Sequence, residues 1–223
     1  IPALMAGNAV VQKADNQTAK TVAFAQELAV EVGVPKEIWQ VVQGEAQEVG
    51  NAITDNADYV AFTGSTPTGR LVAERAAKRL IGYSLELGGK NPMIILPGAN
   101  LEEAAEVAIG SAFSNAGQLC VAIERIYVPN FAIRQFEQVL KTRVESLTIG
   151  ASNEFDNDIG SLTSKNQLER VIGFIERAVD QGAVVITGGK PLPHLGPNFF
   201  APTVLSNLPE DAEILTKEVF GPV

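Results

Sequence analysis

Leu85-Glu86-Leu87-Gly88-Gly89-Lys90 is the stretch on which the reading of this chain turns. A strand-like run over 83–87 ends in two adjacent glycines, where the backbone can bend and be approached closely. Upstream, three strand–helix units follow one another. Strands are expected at 10–13, 38–42 and 59–62, with helices at 17–32 and 45–54. A third helix opens at Thr66 as N-cap with Pro67 behind it and ends before Gly82. Gly33 and Pro35 mark the end of the first of these helices. Downstream, the alternation starts again. A strand is expected at 92–96, then a helix to 113 opened by the capping pair Asn100 and Glu103. A strand at 124–128 and a helix from an Asn130 cap to 145 follow. Ser164 and Gln167 open a further helix, whose apolar positions Leu168, Val171, Ile172, Ile175 and Val179 share a face, and a strand follows at 183–186. Strands alternating with helices predict an α/β fold with much parallel sheet. The glycine pair predicts a division into 1–87 and 88–223, with a ligand cleft where the two meet.

The bulk properties exclude several classes. Of 223 residues, 46% are hydrophobic and 19% charged, a globular rather than disordered balance. A net charge of −9 argues against nucleic acid or anionic membrane as partner. No apolar run is long enough to span a bilayer, and Ile1-Pro2-Ala3-Leu4 has no basic leader character. One cysteine and one histidine exclude an internal disulfide and a Cys/His zinc site, so no metal is expected and a reducing cytoplasm is the default. The chain opens without Met and stops inside Glu218-Val219-Phe220-Gly221-Pro222-Val223, so it reads as a piece of a longer protein.

Four segments can carry chemistry, and each has a plainer reading. In Phe62-Thr63-Gly64-Ser65-Thr66-Pro67-Thr68-Gly69 a strand runs through a small, hydroxyl-rich turn into a helix start. Gly64 and Ser65 there suit a phosphate, although a capped helix alone explains the string. It is not the GxGxxG dinucleotide fingerprint. Glu86 between two leucines is a candidate base if burial raises its pKa, or a solvent-facing residue of an edge strand. Cys120 ends Asn115-Ala116-Gly117-Gln118-Leu119-Cys120, a small polar stretch suited to an accessible thiol, whereas most lone cysteines are buried hydrophobes. His194 lies in the loop Pro191 to Pro197 and reads as a surface residue, which leaves a carboxylate as partner for the thiol. Lys13 closes a strand at the end where open α/β sheets bind ligands, or is a solvated surface lysine.

Taken together and in order, the strings GNAVVQKADNQT, FTGSTPTG, LELGGKNP, NAGQLC and EVFGPV resemble the aldehyde dehydrogenase superfamily across the whole chain. Residues 159–189 and the run FFAPTVL match as well. The resemblance implies a parallel-sheet aldehyde-dehydrogenase fold. Residues 1–87 then form the C-terminal part of a Rossmann-like cofactor domain, and 88–223 a truncated, thiol-bearing catalytic domain. It implies Cys120 as nucleophile and Glu86 as the residue that activates water. Lys13 and Asn16 fall on the motif for the adenosine ribose, and Gly64 and Ser65 on the turn beside the pyrophosphate and nicotinamide. The Leu87 backbone faces the nicotinamide amide, and Glu218, with Phe220 nearby, holds the nicotinamide ribose. Neutral Asn16, where NAD-preferring relatives often carry Glu, removes repulsion of a 2′-phosphate, so NADP is the expected cofactor, with NAD as the alternative.

Within the superfamily QKADNQT, LIGYSLELGGKNP and GQLCVAIERIYV are most similar to bacterial NADP-using succinate-semialdehyde dehydrogenases. A different aldehyde and a cofactor-independent thiol esterase are the rival readings. A homo-oligomer is expected for the full-length protein. The family's oxyanion Asn falls upstream of Ile1, so the fragment alone is expected to be inactive. Ala122 stands where some relatives carry a second cysteine, which excludes a local disulfide switch.

Overall fold

The computed structural model describes every residue except Asn153. The chain divides into two compact units, Ile1–Leu87 and Gly88–Val223.

The first unit begins with a single helical turn, α1 (Pro2–Met5). Strand β1 (Val10–Lys13), helix α2 (Ala19–Glu31) and strand β2 (Trp39–Val42) form a β–α–β unit with the strands parallel. Helix α3 (Ala46–Asn56) leads to a second such unit of β3 (Tyr59–Gly64), α4 (Thr66–Lys78) and β4 (Gly82–Leu87). The cap of α4 is one residue earlier than expected. Ser65, in extended conformation, accepts from the Thr68 N–H at 3.4 Å, and Thr66 is the first helical residue. Helix α4 ends at Lys78, before Gly82, as expected. Leu80, at φ +56°, makes the turn, and Gly82 opens β4 directly against the Tyr59 ring, leaving no room for a Cβ.

The second unit carries β5 (Asn91–Ile94), α5 (Leu101–Phe113) and β6 (Ile123–Tyr127), again a parallel pair around a helix. Helices α6 (Ile133–Glu145) and α7 (Lys165–Asp180) follow, then β7 (Val184–Thr187) and β8 (Val204–Ser206), which pair antiparallel. Asn100 caps α5 as expected, accepting from the Glu102 and Glu103 amides at 3.0 and 3.4 Å. Ser164 likewise accepts from Gln167 at 3.2 Å. Asn130 does not cap α6. A turn closed by the Ala132 N–H on the Pro129 carbonyl delays the helix to Ile133.

The main core belongs to the second unit. Helix α6 contributes Phe136, Leu140 and Val144, spaced by four so that they stack on one face. Helix α7 contributes Leu168, Val171, Phe174, Ile175 and Ala178. Val179, expected on that face, is 42% exposed, because one residue of rotation brings Ala178 inward instead.

Candidate active site

Cys120 is an exposed free thiol in the turn between α5 and β6. The chain enters this turn through three consecutive left-handed residues, Asn115 (φ +52°), Ala116 (φ +55°) and Gly117 (φ +69°). Such a conformation costs a non-glycine residue roughly 1–2 kcal/mol, so the surroundings must hold it. The holding groups are visible. The Gln118 amide donates to the Asn115 carbonyl at 3.1 Å, and the Asn115 amide returns a bond to the Gln118 carbonyl at 3.2 Å. The Gln118 side-chain oxygen accepts from the Thr163 N–H at 2.8 Å. A Cβ on Gly117 would collide with the Gly221 carbonyl, so only glycine lets these two backbones meet. On the far side of the thiol, the Asn91 side chain donates to the carbonyls of Cys120 and Ala122 at 2.8 and 3.0 Å. The buried-hydrophobe reading of Cys120 therefore does not apply.

The terminal segment of this unit is held as firmly. Glu218 lies against the glycine pair. A Cβ on Gly88 would strike its carboxylate, and the Gly89 N–H donates to it at 3.1 Å. Arg170 donates to the Glu218 carbonyl at 2.7 Å. Gln167, one turn earlier on α7, donates to the carbonyls of Val219 and Phe220 at 3.0 and 2.7 Å. Phe220 is itself left-handed, at φ +58°. Beneath the segment is an ion pair between Lys90 and Glu124, whose side chains are only 9% and 4% exposed. Burial pushes the Lys90 ammonium below the usual lysine range, while Glu124 pulls the other way.

In the first unit, the parallel register sets Gly64 beside Leu87 and Thr63 beside Glu86. The hydroxyl-rich turn and the candidate base thus sit at the same end of neighbouring strands. Leu87 packs over Gly69, where any Cβ would press on its methyls. Gly64 and Ser65 are exposed at the start of α4, where first-turn N–H groups and the helix dipole favour an anion. Glu86 is exposed on β4, which among the described residues pairs with β3 alone, so of the two readings the structure shows the solvent-facing one. At the end of β1 the Lys13 ammonium donates to the Ala14 carbonyl at 2.8 Å and reaches the Asn16 side-chain oxygen at 3.4 Å. A cation beside a neutral amide suits a phosphorylated ribose. An exposed Gly–Ser turn at a helix start suits a pyrophosphate, so the residues of this unit fit a dinucleotide.

His194 is exposed in its loop, as expected. Among the described residues no cluster suited to a metal occurs, and no helix is long and apolar enough to cross a membrane. Lys90, Asn91, Glu124, Gln167 and Arg170 were given no role at the site from the sequence. The available signal was the adjacent charges Glu124 and Arg125 inside the strand-like run Ala122-Ile123-Glu124-Arg125-Ile126.

Comparison with known proteins gives one consistent picture. The profile of the aldehyde dehydrogenase family matches residues 1–223. A Mycobacterium tuberculosis protein provisionally named an NADP-dependent succinate-semialdehyde dehydrogenase is 48% identical over 223 residues, covering 100% of this chain and 43% of that protein. Among solved structures, an NADP-dependent enzyme of E. coli superposes with TM-score 0.94 at 39% identity, over 99% of this chain and 46% of the other. Succinate-semialdehyde dehydrogenase from Burkholderia pseudomallei gives 0.95 at 36% identity, over 99% and 46%. The chain spans less than half the length of these relatives.

Proposed function

The chain belongs to the aldehyde dehydrogenase family, and on that premise we propose that it is the central part of an NADP-preferring enzyme that oxidises succinate semialdehyde to succinate. The observation that carries this reading is the exposed Cys120 on a turn pinned from both flanks. A nucleophile held in place loses little freedom on reaction. Residues 1–87 are assigned to the cofactor domain and 88–223 to the catalytic domain. The full-length protein is assigned to the cytoplasm as a homo-oligomer.

In the proposed reaction the Cys120 thiolate adds to the aldehyde carbonyl and forms a C–S bond, giving a thiohemiacetal. The Cys120 N–H is a candidate donor to its oxyanion. When bound, a nicotinamide would supply the acceptor for the hydride that leaves the former aldehyde carbon, and the oxyanion collapses to a C=O so that a thioester remains on Cys120. Glu86 then takes a proton from water, the resulting hydroxide equivalent adds to the thioester, and the C–S bond breaks to release the acid and the thiolate. An exposed Glu86 suits contact with water.

Lys13 and Asn16 are assigned to the adenosine ribose, Gly64 and Ser65 to the pyrophosphate, and Leu87, Glu218 and Phe220 to the nicotinamide end. The Lys13–Asn16 pairing supports NADP, since it offers a cation and no carboxylate to a 2′-phosphate. The substrate is supported by the names of the relatives alone. The test is an aldehyde panel on the full-length polypeptide with NADP and NAD, read as absorbance of the reduced cofactor. Highest kcat/KM with succinate semialdehyde and NADP is expected. Preference for another aldehyde replaces the substrate assignment, and ester cleavage without any reduced cofactor replaces the enzyme class.

A further inference from the structure

Glu124 stands four residues after the thiol, on β6. It is nearly inaccessible, with 4% of its side chain exposed. A carboxylate so buried must fill its lone pairs or be destabilising. The Glu124 side chain fills them with three partners: the Lys90 ammonium, the Val219 N–H at 2.9 Å and the Phe220 N–H at 3.0 Å. Lys90 supplies the charge balance, but the two amides belong to the segment that carries Glu218. Gln167 grips the carbonyls of the same two residues. Val219 and Phe220 are thereby held through both their donors and their acceptors, and Phe220 is kept left-handed. The neighbouring Glu218 carboxylate is left against the Gly89 N–H.

We propose that Glu124 is a positioning residue for the cofactor: through the Val219 and Phe220 amides it sets Glu218 in the place from which it holds the nicotinamide ribose. This rests on the assignment of Glu218 above. What the position requires is an acceptor oxygen for two amides. The negative charge serves Lys90, and the two roles can be separated by removing both charges together.

The experiment is calorimetric titration of the full-length polypeptide with NADP, which reads dissociation constant and stoichiometry separately. Glu124→Leu/Lys90→Met removes the ion pair and the acceptor. It is expected to weaken NADP about tenfold at unchanged stoichiometry, the scale of one charge-assisted hydrogen bond. Glu124→Gln/Lys90→Met removes the same charges but keeps an oxygen for the amides, and is expected to bind within about threefold of wild type. A purely structural role lowers the stoichiometry without moving the dissociation constant, or weakens both variants alike, and either result overturns the proposal. Should the leucine variant not fold, Gln167→Leu takes its place. It frees the same two residues from the opposite side, and unchanged NADP affinity there also overturns the proposal. Glu218→Gln is the control. If it weakens NADP and the Glu124 variants do not, the positioning role alone is wrong. If it binds as wild type does, the assignment of Glu218 is wrong and the inference falls with it.

Discussion

Helices α2 and α7 are similar in length, yet α2 buries no residue and α7 buries five. The contrast extends to the two units they belong to. Most buried apolar residues of the second unit form one cluster from Ile95 to Val219, whereas the first unit buries only Ala14, Val60 and Ala76 among its apolar residues. Phe24 and Leu28, one turn apart on α2, are 59% and 44% exposed. Both units have two separate strand pairs and three helices of 11 residues or more, so the contrast lies in what those elements pack against. In the second unit the helices and the connecting loops turn apolar side chains into one shared cluster, Phe136 of α6, Val171 of α7 and Phe200 of a loop among them. The candidate residues inherit the difference. Cys120 sits on a turn braced from two sides, while Glu86 stands open on a strand paired on one side.

The largest expected effect tests the braced turn against the open strand. In the full-length protein Cys120→Ala is expected to lower turnover by more than about 10⁴-fold, since no bond to the aldehyde can form. Glu86→Gln is expected to leave a stoichiometric burst of reduced cofactor followed by slow release of acid, seen in stopped flow. Burst-free turnover at the wild-type rate in the glutamine variant removes Glu86 from the hydrolytic step.

Next comes the packing contrast. Phe136→Ala, at a site 2% exposed, is expected to cost about 3–5 kcal/mol in urea unfolding. Phe24→Ala is expected to cost under about 0.5 kcal/mol. Similar costs at both positions would show that α2 is covered in solution.

A smaller effect concerns Lys90. Its folded-state pKa lies below the unfolded value of 10.5, so the folded chain binds this proton less tightly. The resulting penalty is complete below the folded pKa and fades as pH rises toward 10.5. Wild-type stability relative to Lys90→Met is therefore expected to climb in that alkaline window, by at most about 1.4 kcal/mol per pH unit. A flat difference across the window contradicts the burial of the ammonium.

The smallest effect lies at the acid end. Thr148 donates to Asp158 through its backbone and its hydroxyl, at 2.8 and 2.7 Å, and these bonds hold the carboxyl below 3.8. Stability from this group is present above 3.8 and is lost as pH falls through the lowered folded value. Asp158 is exposed, so Asp158→Asn is expected to cost only about 0.5 kcal/mol at neutral pH, and less as pH falls below 3.8.

Much of the local order was legible in the sequence because its signals are local. Asn100 and Ser164 cap where their spacing to the following residues says they should, and the strand–helix alternation gives three parallel pairs. The errors fall where two local signals compete. Ser65 and Thr66 are both able to cap α4, and backbone conformation chose Ser65. Asn130 has the right side chain for a cap, but the turn from Pro129 carries the chain past it.

The alternation of strands and helices, the lone thiol and the family can be read without coordinates, since spacing, residue type and contiguous motifs are properties of a string. The roles of Glu124, Gln167 and Asn91 emerge on folding, because their partners lie 95, 52 and 29 residues away along the chain. A hydrogen bond depends on distance in space, and no spacing rule along a strand or helix reaches that far.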